Sequence, residues 1–203
     1  MEMLLHAAAE AREQDDQLKL LDFVYEDLTD ADLSELEFQQ VTFRNCRFRG
    51  CGFEKAAFYN CAFEDCQFTA CSLEASFWKH SALLRCKADG TDLRRARFKS
   101  CTLTATLFRY ANCTDSLWER TEVTDCNFTE AALASCRISK TSFRKVDFTG
   151  ADLFRTSFRD IDLSSCTIDR VSLSETCTEL KGARIDASQA AVVARILGIS
   201  VTP

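Results

Sequence analysis

The sequence has 203 residues, a formal net charge of −6 at neutral pH and a hydrophobic content of 46%. This length and composition are typical of one globular domain with a substantial core and exclude a disordered chain. The negative charge argues against general binding to nucleic-acid phosphates, and no apolar stretch approaches the length of a transmembrane helix.

The chain begins with a segment rich in Ala, Leu, Glu and Gln, MEMLLHAAAEAREQDDQLKLL. This composition predicts a helix over residues 1–20 that caps whatever follows it. The segment is acidic where a secretory signal would be basic and then apolar. We therefore expect a cytoplasmic protein.

A period of five residues follows. Every fifth residue from Phe23 to Leu173 is apolar and suited to the interior, and of these thirty-one residues fourteen are Phe and ten are Leu. A second column lies two residues earlier and is nearly all small, with ten Cys and one outlier, Glu26. Period five fits neither the 3.6 of a helix nor the 2 of a strand. A chain that turns a corner after each five residues satisfies it, with one large and one small side chain inside.

Eleven of the twelve cysteines follow the same period, ten of them in the small inward column. If each coil takes four pentapeptides, Cys46, Cys66 and Cys86, for example, would stack in one column with parallel Cα–Cβ bonds. Such geometry is poor for disulfides, and a column does not converge as a tetrahedral zinc site must. We expect buried, reduced thiols and no metal.

The units VTFRN CRFRG CGFEK AAFYN CAFED CQFTA, and later ADLFR TSFRD IDLSS, resemble the pentapeptide-repeat family over residues 21–175. The resemblance implies an all-β fold, a right-handed quadrilateral β-helix with four pentapeptides in each coil. Short helices would cap both ends. The expected divisions are an N-terminal helical cap (1–20), the pentapeptide-repeat solenoid (21–178) and a C-terminal capping and dimerisation helix (179–203).

Charges are unevenly placed on the predicted outer surface. The segment from Asp22 to Glu37 holds seven acids and no basic residue. The acids predicted to form a partner-binding surface are Asp22, Asp27, Asp30, Asp32, Glu35, Glu37, Glu54, Glu74, Asp92, Asp115 and Asp152. The neighbouring face is basic and includes Lys79, Arg97, Lys99, Arg120, Arg137, Lys140 and Arg159. A solvated mixed surface and a selected interaction surface both remain open. Four apolar residues at outward positions, Phe77, Leu107, Leu117 and Phe154, add weight to the interaction surface.

The C-terminal segment GARIDASQAAVVARILGISVTP predicts a helix near Ala187–Leu197, with Asp186 or Ser188 at its N-cap and Gly198 at its end. Its apolar surface is wider than capping one coil needs. We expect a homodimer joined through Val192, Val193, Ile196, Leu197, Ile199 and Val201.

This tail, with LLRCKADGTDLRRARF, resembles the quinolone-resistance (Qnr-like) branch of the family and its relatives that give immunity to peptide gyrase poisons. The resemblance implies a DNA mimic that binds DNA gyrase or topoisomerase IV and protects it from a quinolone or natural poison, without contacting nucleic acid or membrane itself. The alternative is a general protein-interaction solenoid with another partner. His6 and His80 are isolated, and no nucleophile, phosphate loop or ligand cluster stands out, so we expect no catalysis and no cofactor.

Overall fold

The computed structural model describes residues 3–202 and has the predicted β-solenoid fold. Four faces, which we number 1 to 4, follow one another around each coil. Face 1 carries a seven-stranded parallel sheet: Leu18–Lys19, Glu37–Gln39, Ala57–Tyr59, Phe77–Lys79, Arg97–Lys99, Leu117–Glu119 and Arg137–Ser139. Face 2 carries another: Asp22–Val24, Thr42–Arg44, Ala62–Glu64, Ala82–Leu84, Thr102–Thr104, Glu122–Thr124 and Ser142–Arg144.

Faces 3 and 4 are less regular. Face 3 begins with three strands, Asp27–Thr29, Arg47–Arg49 and Gln67–Thr69, and continues as single bridges from Lys87 to Thr167. Face 4 consists of single bridges from Asp32 to Ser172. All pairs are parallel, and all except the bridge from Asp162 to Arg184 join residues twenty apart, as between Phe77 and Arg97. Residues twenty apart therefore stack along the rod.

The corners explain how a chain with only six Gly and one Pro turns so often. Nearly every fifth residue has left-handed backbone, as at Asp30 (φ 51°) and Asn45 (φ 53°). This region disfavours residues other than Gly by roughly 1–2 kcal/mol each. Hydrogen bonds between coils hold it in place, because each corner amide reaches a carbonyl of the next coil, as from Asn45 N to Glu64 O at 2.9 Å.

The large inward column forms stacked aromatic ladders. The rings of Phe38 and Phe58 have centroids 5.0 Å apart, and Phe58 lies 4.1 Å from Trp78. These separations favour offset stacking, and the rings are buried. The aromatic column therefore fills the core, as its period predicts.

The small inward column is lined by thiols and hydroxyls that contact backbone carbonyls. The Sγ atom of Cys46 lies 3.4 Å from the carbonyl oxygens of both Phe23 and Arg44. All twelve cysteines are free and buried. Burial raises the pKa of the Cys61 and Cys101 thiols to about 11, so they stay protonated at neutral pH.

Both tryptophans have a serine two residues before them. Trp78 Nε1 donates to Ser76 Oγ at 2.8 Å, and Trp118 Nε1 donates to Ser116 Oγ at the same distance. A buried indole N–H needs an acceptor. The small column therefore supplies a hydroxyl where the large column holds Trp.

Each end of the solenoid carries a helix, but the N-terminal helix is shorter than the predicted cap of residues 1–20, because Leu18–Lys19 already pairs as the first strand of face 1. Helix α1, Met3–Gln14, buries Leu4, Ala8 and Ala11 on the first coil. Helix α2, Ala187–Ile196, begins at Asp186 in a capping box with Gln189, and Gly198 (φ 76°) follows its last turn. No helix within residues 3–202 is both long and apolar enough to cross a membrane.

The last coils are closed by buried polar groups. A short 3₁₀ turn, Thr178–Leu180, places the Glu179 carboxylate against the amides of Arg155 (3.0 Å) and Ser174 (3.2 Å). Gln189 Nε2 donates to the carbonyls of Leu163 at 2.8 Å and Cys166 at 2.6 Å. These side chains take the place of the coil that would otherwise follow.

Candidate partner-binding surfaces

The predicted acidic segment surrounds the first coil. Asp22, Asp27 and Asp32 project from faces 2, 3 and 4, and Glu37 projects from face 1. Asp30 and Glu35 occupy corners with left-handed backbone. All six residues are exposed. Carboxylates therefore point outward in every direction at this end of the rod, whereas Glu26, in the small inward column, is buried.

Basic residues of neighbouring elements partly neutralise this segment. Arg49 Nη2 lies 2.7 Å from Asp27 Oδ1, and Lys55 Nζ lies 2.7 Å from Glu35 Oε1. The hydrogen bond from Lys55 lowers the pKa of Glu35, so this carboxylate is ionised at neutral pH. Among the described residues, Asp30 and Glu37 have no ion-pair partner.

The stacking of successive coils explains these pairs, because Arg49 lies twenty-two residues after Asp27 and Lys55 lies twenty residues after Glu35. The twenty-residue spacing also joins Asp65 to Arg85 at 2.7 Å and Glu74 to Arg94 at 3.4 Å. Exposed pairs of this kind stabilise a protein by only about 0–1 kcal/mol, but they reduce the local charge. Sequence reasoning read the segment Asp22–Glu37 alone and missed the partners one coil further along, although a search for opposite charges twenty apart finds them.

The acids predicted further along face 4 do not form a continuous stripe. Arg94 binds Asp92 at 2.6 Å, and Arg95 binds Glu74. The carboxylate of Asp152 accepts the amide of Phe154 at 3.0 Å. The remaining predicted acids of this row, Glu54 and Asp115, have no ion pair within residues 3–202. Acids and arginines are thus mixed on this face.

The net charge is consequently concentrated at one end of the rod. Residues 1–60 contain thirteen acidic and six basic residues, a net charge of −7. Residues 61–203 contain eighteen acidic and nineteen basic residues, a net charge of +1. The first sixty residues therefore account for the acidity of the whole chain.

Exposed apolar side chains lie within the acidic end. Leu20 and Tyr25 are 75% and 76% exposed, and Val24 between them is also exposed. Leu20 (φ 54°) and Tyr25 (φ 59°) sit at corners, where neither the backbone conformation nor packing favours a large apolar residue. Sequence reasoning missed them, although their positions two residues after Leu18 and Phe23 in the repeat mark them as outward.

The predicted dimer residues divide into two groups. Val193 and Ile196 pack against the core of the same chain, and Val192 is half-buried. Leu197, Ile199 and Val201 are 45%, 56% and 47% exposed. The buried polar residue of the helix is Gln189, which docks it on the last coil. The exposed apolar surface therefore lies at and beyond the end of α2.

A parallel solenoid with five residues to each side defines the class of this protein. A model described as a pentapeptide repeat region matches residues 22–93, and a model of eight pentapeptide repeats matches residues 126–164. Together they cover more than half of the chain. The chain belongs to the pentapeptide-repeat family.

Solved structures of the same fold include that of trypsin-treated QnrB1, a plasmid-mediated fluoroquinolone resistance protein. It is 21% identical, the alignment covers 92% of this chain and 100% of that one, and the TM-score is 0.50. Full-length QnrB1 has the same identity, with coverage of 91% and 100% and a TM-score of 0.47. HetL, involved in heterocyst differentiation regulation in the cyanobacterium Nostoc, is 14% identical, with coverage of 91% and 95% and a TM-score of 0.27. No curated protein matches the sequence.

Proposed function

We propose that this protein mimics DNA, binds a type II topoisomerase such as DNA gyrase or topoisomerase IV in the cytoplasm, and protects the enzyme from a quinolone or a natural gyrase poison. It would act by binding and not by catalysis. The observation that carries the proposal is the net charge of −7 in residues 1–60, displayed on all sides of the rod. The DNA-binding surface of a topoisomerase is basic, so an acidic rod could enter it where duplex DNA does.

The apolar residues at the same end support a protein partner. Leu20, Val24 and Tyr25 lie in the same stretch of the first coil as Asp22 and Asp27, so a partner surface that meets them would be basic and would also offer apolar contact. Tyrosine is frequent among residues that dominate binding energy. Two acidic tips would repel each other, which argues against a second copy at this site.

The proposal includes a homodimer joined at the C-terminal ends, through the exposed Leu197, Ile199 and Val201 together with Val192, Val193 and Ile196. Such a dimer places an acidic tip at each outer end. Replacing Leu197 and Ile199 with Asp should give monomers, because these two side chains have no place in the core of their own chain. Light scattering at micromolar concentration measures this directly. A monomeric intact protein would remove the dimer from the proposal.

Gyrase supercoiling tests the function. Purified protein should inhibit supercoiling at high concentration and relieve poisoning by a quinolone or a peptide toxin at lower concentration. Replacing Asp27, Asp30, Asp32 and Glu35 with Lys should weaken both effects, and replacing Lys79 and Lys99 with Glu serves as the control.

A gentler variant separates charge from folding. Asp30→Asn with Glu37→Gln removes two charges that take part in no ion pair among the described residues, so the coil-to-coil pairs stay intact. It should reduce inhibition and leave the thermal unfolding midpoint nearly unchanged. Full activity in this variant and in the four-Lys variant would contradict the proposal. It would favour the second candidate, a general interaction solenoid, whose support is the mixture of acids and arginines on face 4.

A further inference from the structure

A groove on the basic side of the rod carries a repeated pattern of its own. Phe77, Arg97, Leu117 and Arg137 stack in this order on face 1, joined by in-register pairing of successive coils. The groove beside them is also lined by corner residues Arg95, Asp115 and Ser135 and by Lys99 and Glu119, so that four cations and two carboxylates border it. We call this the basic groove. It lies beyond the acidic end and shares no residue with it.

Two of its cations are available to a partner. Within residues 3–202, Arg97 and Arg137 have no carboxylate within 4.0 Å of their side-chain nitrogens. Of the two carboxylates that line the groove, Glu119 is held by Arg120 at 2.6 Å and by Lys99 at 3.8 Å, and Asp115 forms no ion pair with either arginine. Both arginines are exposed. Exposed guanidinium groups without an ion-pair partner can bind a carboxylate through two parallel hydrogen bonds.

The apolar members of the groove narrow the class of ligand. Phe77 and Leu117 are half-buried, and the Phe77 ring lies 5.6 Å from that of Tyr59. A surface that held only phosphates would gain nothing from an aliphatic side chain between two arginines. The matching ligand presents apolar and anionic groups alternately along one line.

Spacing decides the conformation of that ligand. Successive coils are about 4.8 Å apart, so the four residues from Phe77 to Arg137 span about 14 Å. Alternating steps of three and four residues advance a helix by about 5.2 Å on average, which accumulates a mismatch of only about 1.4 Å over three steps. Same-side residues of an extended strand advance by about 6.7 Å, and the mismatch grows to about 6 Å, more than one coil.

We propose that the basic groove binds an acidic amphipathic helix of a partner protein, lying along the rod with Glu or Asp facing Arg97 and Arg137 and apolar residues facing Phe77 and Leu117. Neither helix of this chain is suitable. The apolar side of α1 is buried on the first coil, and α2 contains no carboxylate. The proposal concerns a different surface from topoisomerase binding and does not depend on it.

A designed peptide tests the proposal on the full-length protein. The probe is a fluorescent helix of about 18 residues with Leu and Glu at alternating three- and four-residue steps along one side. A scrambled peptide of the same composition and a single-stranded oligonucleotide are compared with it by fluorescence anisotropy. The patterned helix should bind at least tenfold more tightly than either, and more weakly as salt is raised.

Variants locate the site. Arg97→Glu with Arg137→Glu should weaken binding of the helix at least tenfold, and Phe77→Ala should weaken it several-fold. Arg144→Glu, at an exposed arginine on face 2 without an ion pair in residues 3–202, should leave binding unchanged. Circular dichroism verifies that each variant folds. Equal binding of the scrambled peptide, tighter binding of the oligonucleotide, or no effect of the double reversal in a folded protein would overturn the proposal.

Discussion

The first seventy residues and the remainder of the rod have the same backbone fold but differ in core composition, surface charge and the way the end is closed. In the first region every large inward residue from Phe38 to Phe68 is Phe, and the surface is acidic. The apolar side of helix α1 closes the N-terminal end. Beyond this stretch the inward column mixes Phe with Leu, Trp, Ile, Ala, Cys and Val, a basic groove is present, and buried polar side chains close the end. The backbone tolerates both, because coil-to-coil hydrogen bonds fix its path and leave the side chains free to vary.

The largest expected difference lies in the aromatic ladders. Phe58 stacks on both neighbours, Phe38 and Trp78, whereas Phe108 stacks only on Phe128 because Ala88 is on its other side. Phe58→Ala should lower the free energy of unfolding by about 3–5 kcal/mol, and Phe108→Ala by less. Urea denaturation measures both. Equal losses would mean that the regular ladder adds nothing to the burial of each ring.

The Trp–Ser pairs exist only in the second region. Ser76→Ala leaves the buried Trp78 indole N–H without its acceptor and should lower the free energy of unfolding by about 1–3 kcal/mol. The double variant Ser76→Ala, Trp78→Phe removes donor and acceptor together. It should lose less than the sum of the two single variants, and a strictly additive loss would contradict the proposed pairing.

The polar closure should make stability depend on pH. Burial raises the pKa of Glu179, but hydrogen bonds from Arg155 and Ser174 outweigh it, and the pKa lies below the ordinary value of 4.5. A lowered folded-state pKa stabilises the fold above the unfolded-state pKa, and this stabilisation is lost as pH falls through the folded-state value.

Glu179→Gln should therefore lower the free energy of unfolding by about 1–2 kcal/mol at pH 7, with the difference from the unaltered protein shrinking as the pH falls below 4.5. Chemical denaturation across this range gives the comparison. A difference that is constant with pH would show that the Glu179 charge contributes nothing. Glu13→Gln, at an exposed residue of α1, is the control.

The smallest effect concerns a packing defect. Ala88 interrupts the face 3 ladder and leaves a cavity, with room for about one water, among Phe68, Trp78, Phe98 and Phe108. Ala88→Val should raise the free energy of unfolding by about 0.5–1 kcal/mol by filling it. Ala111→Val, in the close-packed small column, should lower it. A loss at both positions would mean that Trp78 already occupies the space.

The sequence predicts much of this architecture because its period is strict. The inward columns and both helices follow from the positions of Phe, Leu, Cys and Ala, whereas the stacking of residues twenty apart follows from the resemblance to the pentapeptide-repeat family. The surfaces are harder to predict, because outward positions experience little packing constraint. Arg94 neutralises acids two and twenty residues before it, and Leu20 looks ordinary until its corner position is considered. The role of Gln189 depends on where α2 docks, which no local pattern specifies.

The proposed function depends most on the acidic end of the rod, which we expect to provide most of the binding energy for a topoisomerase. The direct test is the binding of three full-length proteins to DNA gyrase, each measured at low and at high salt. They are the unaltered protein, a first variant with Asp27, Asp30, Asp32 and Glu35 replaced by Lys, and a second variant with Lys79 and Lys99 replaced by Glu. We predict that the unaltered protein binds gyrase with an affinity that falls as salt is raised. In the first variant the affinity should be at least tenfold lower and much less dependent on salt, and in the second variant it should change little. Absence of binding at low salt, or an equal loss of affinity in both folded variants, would contradict the proposed function.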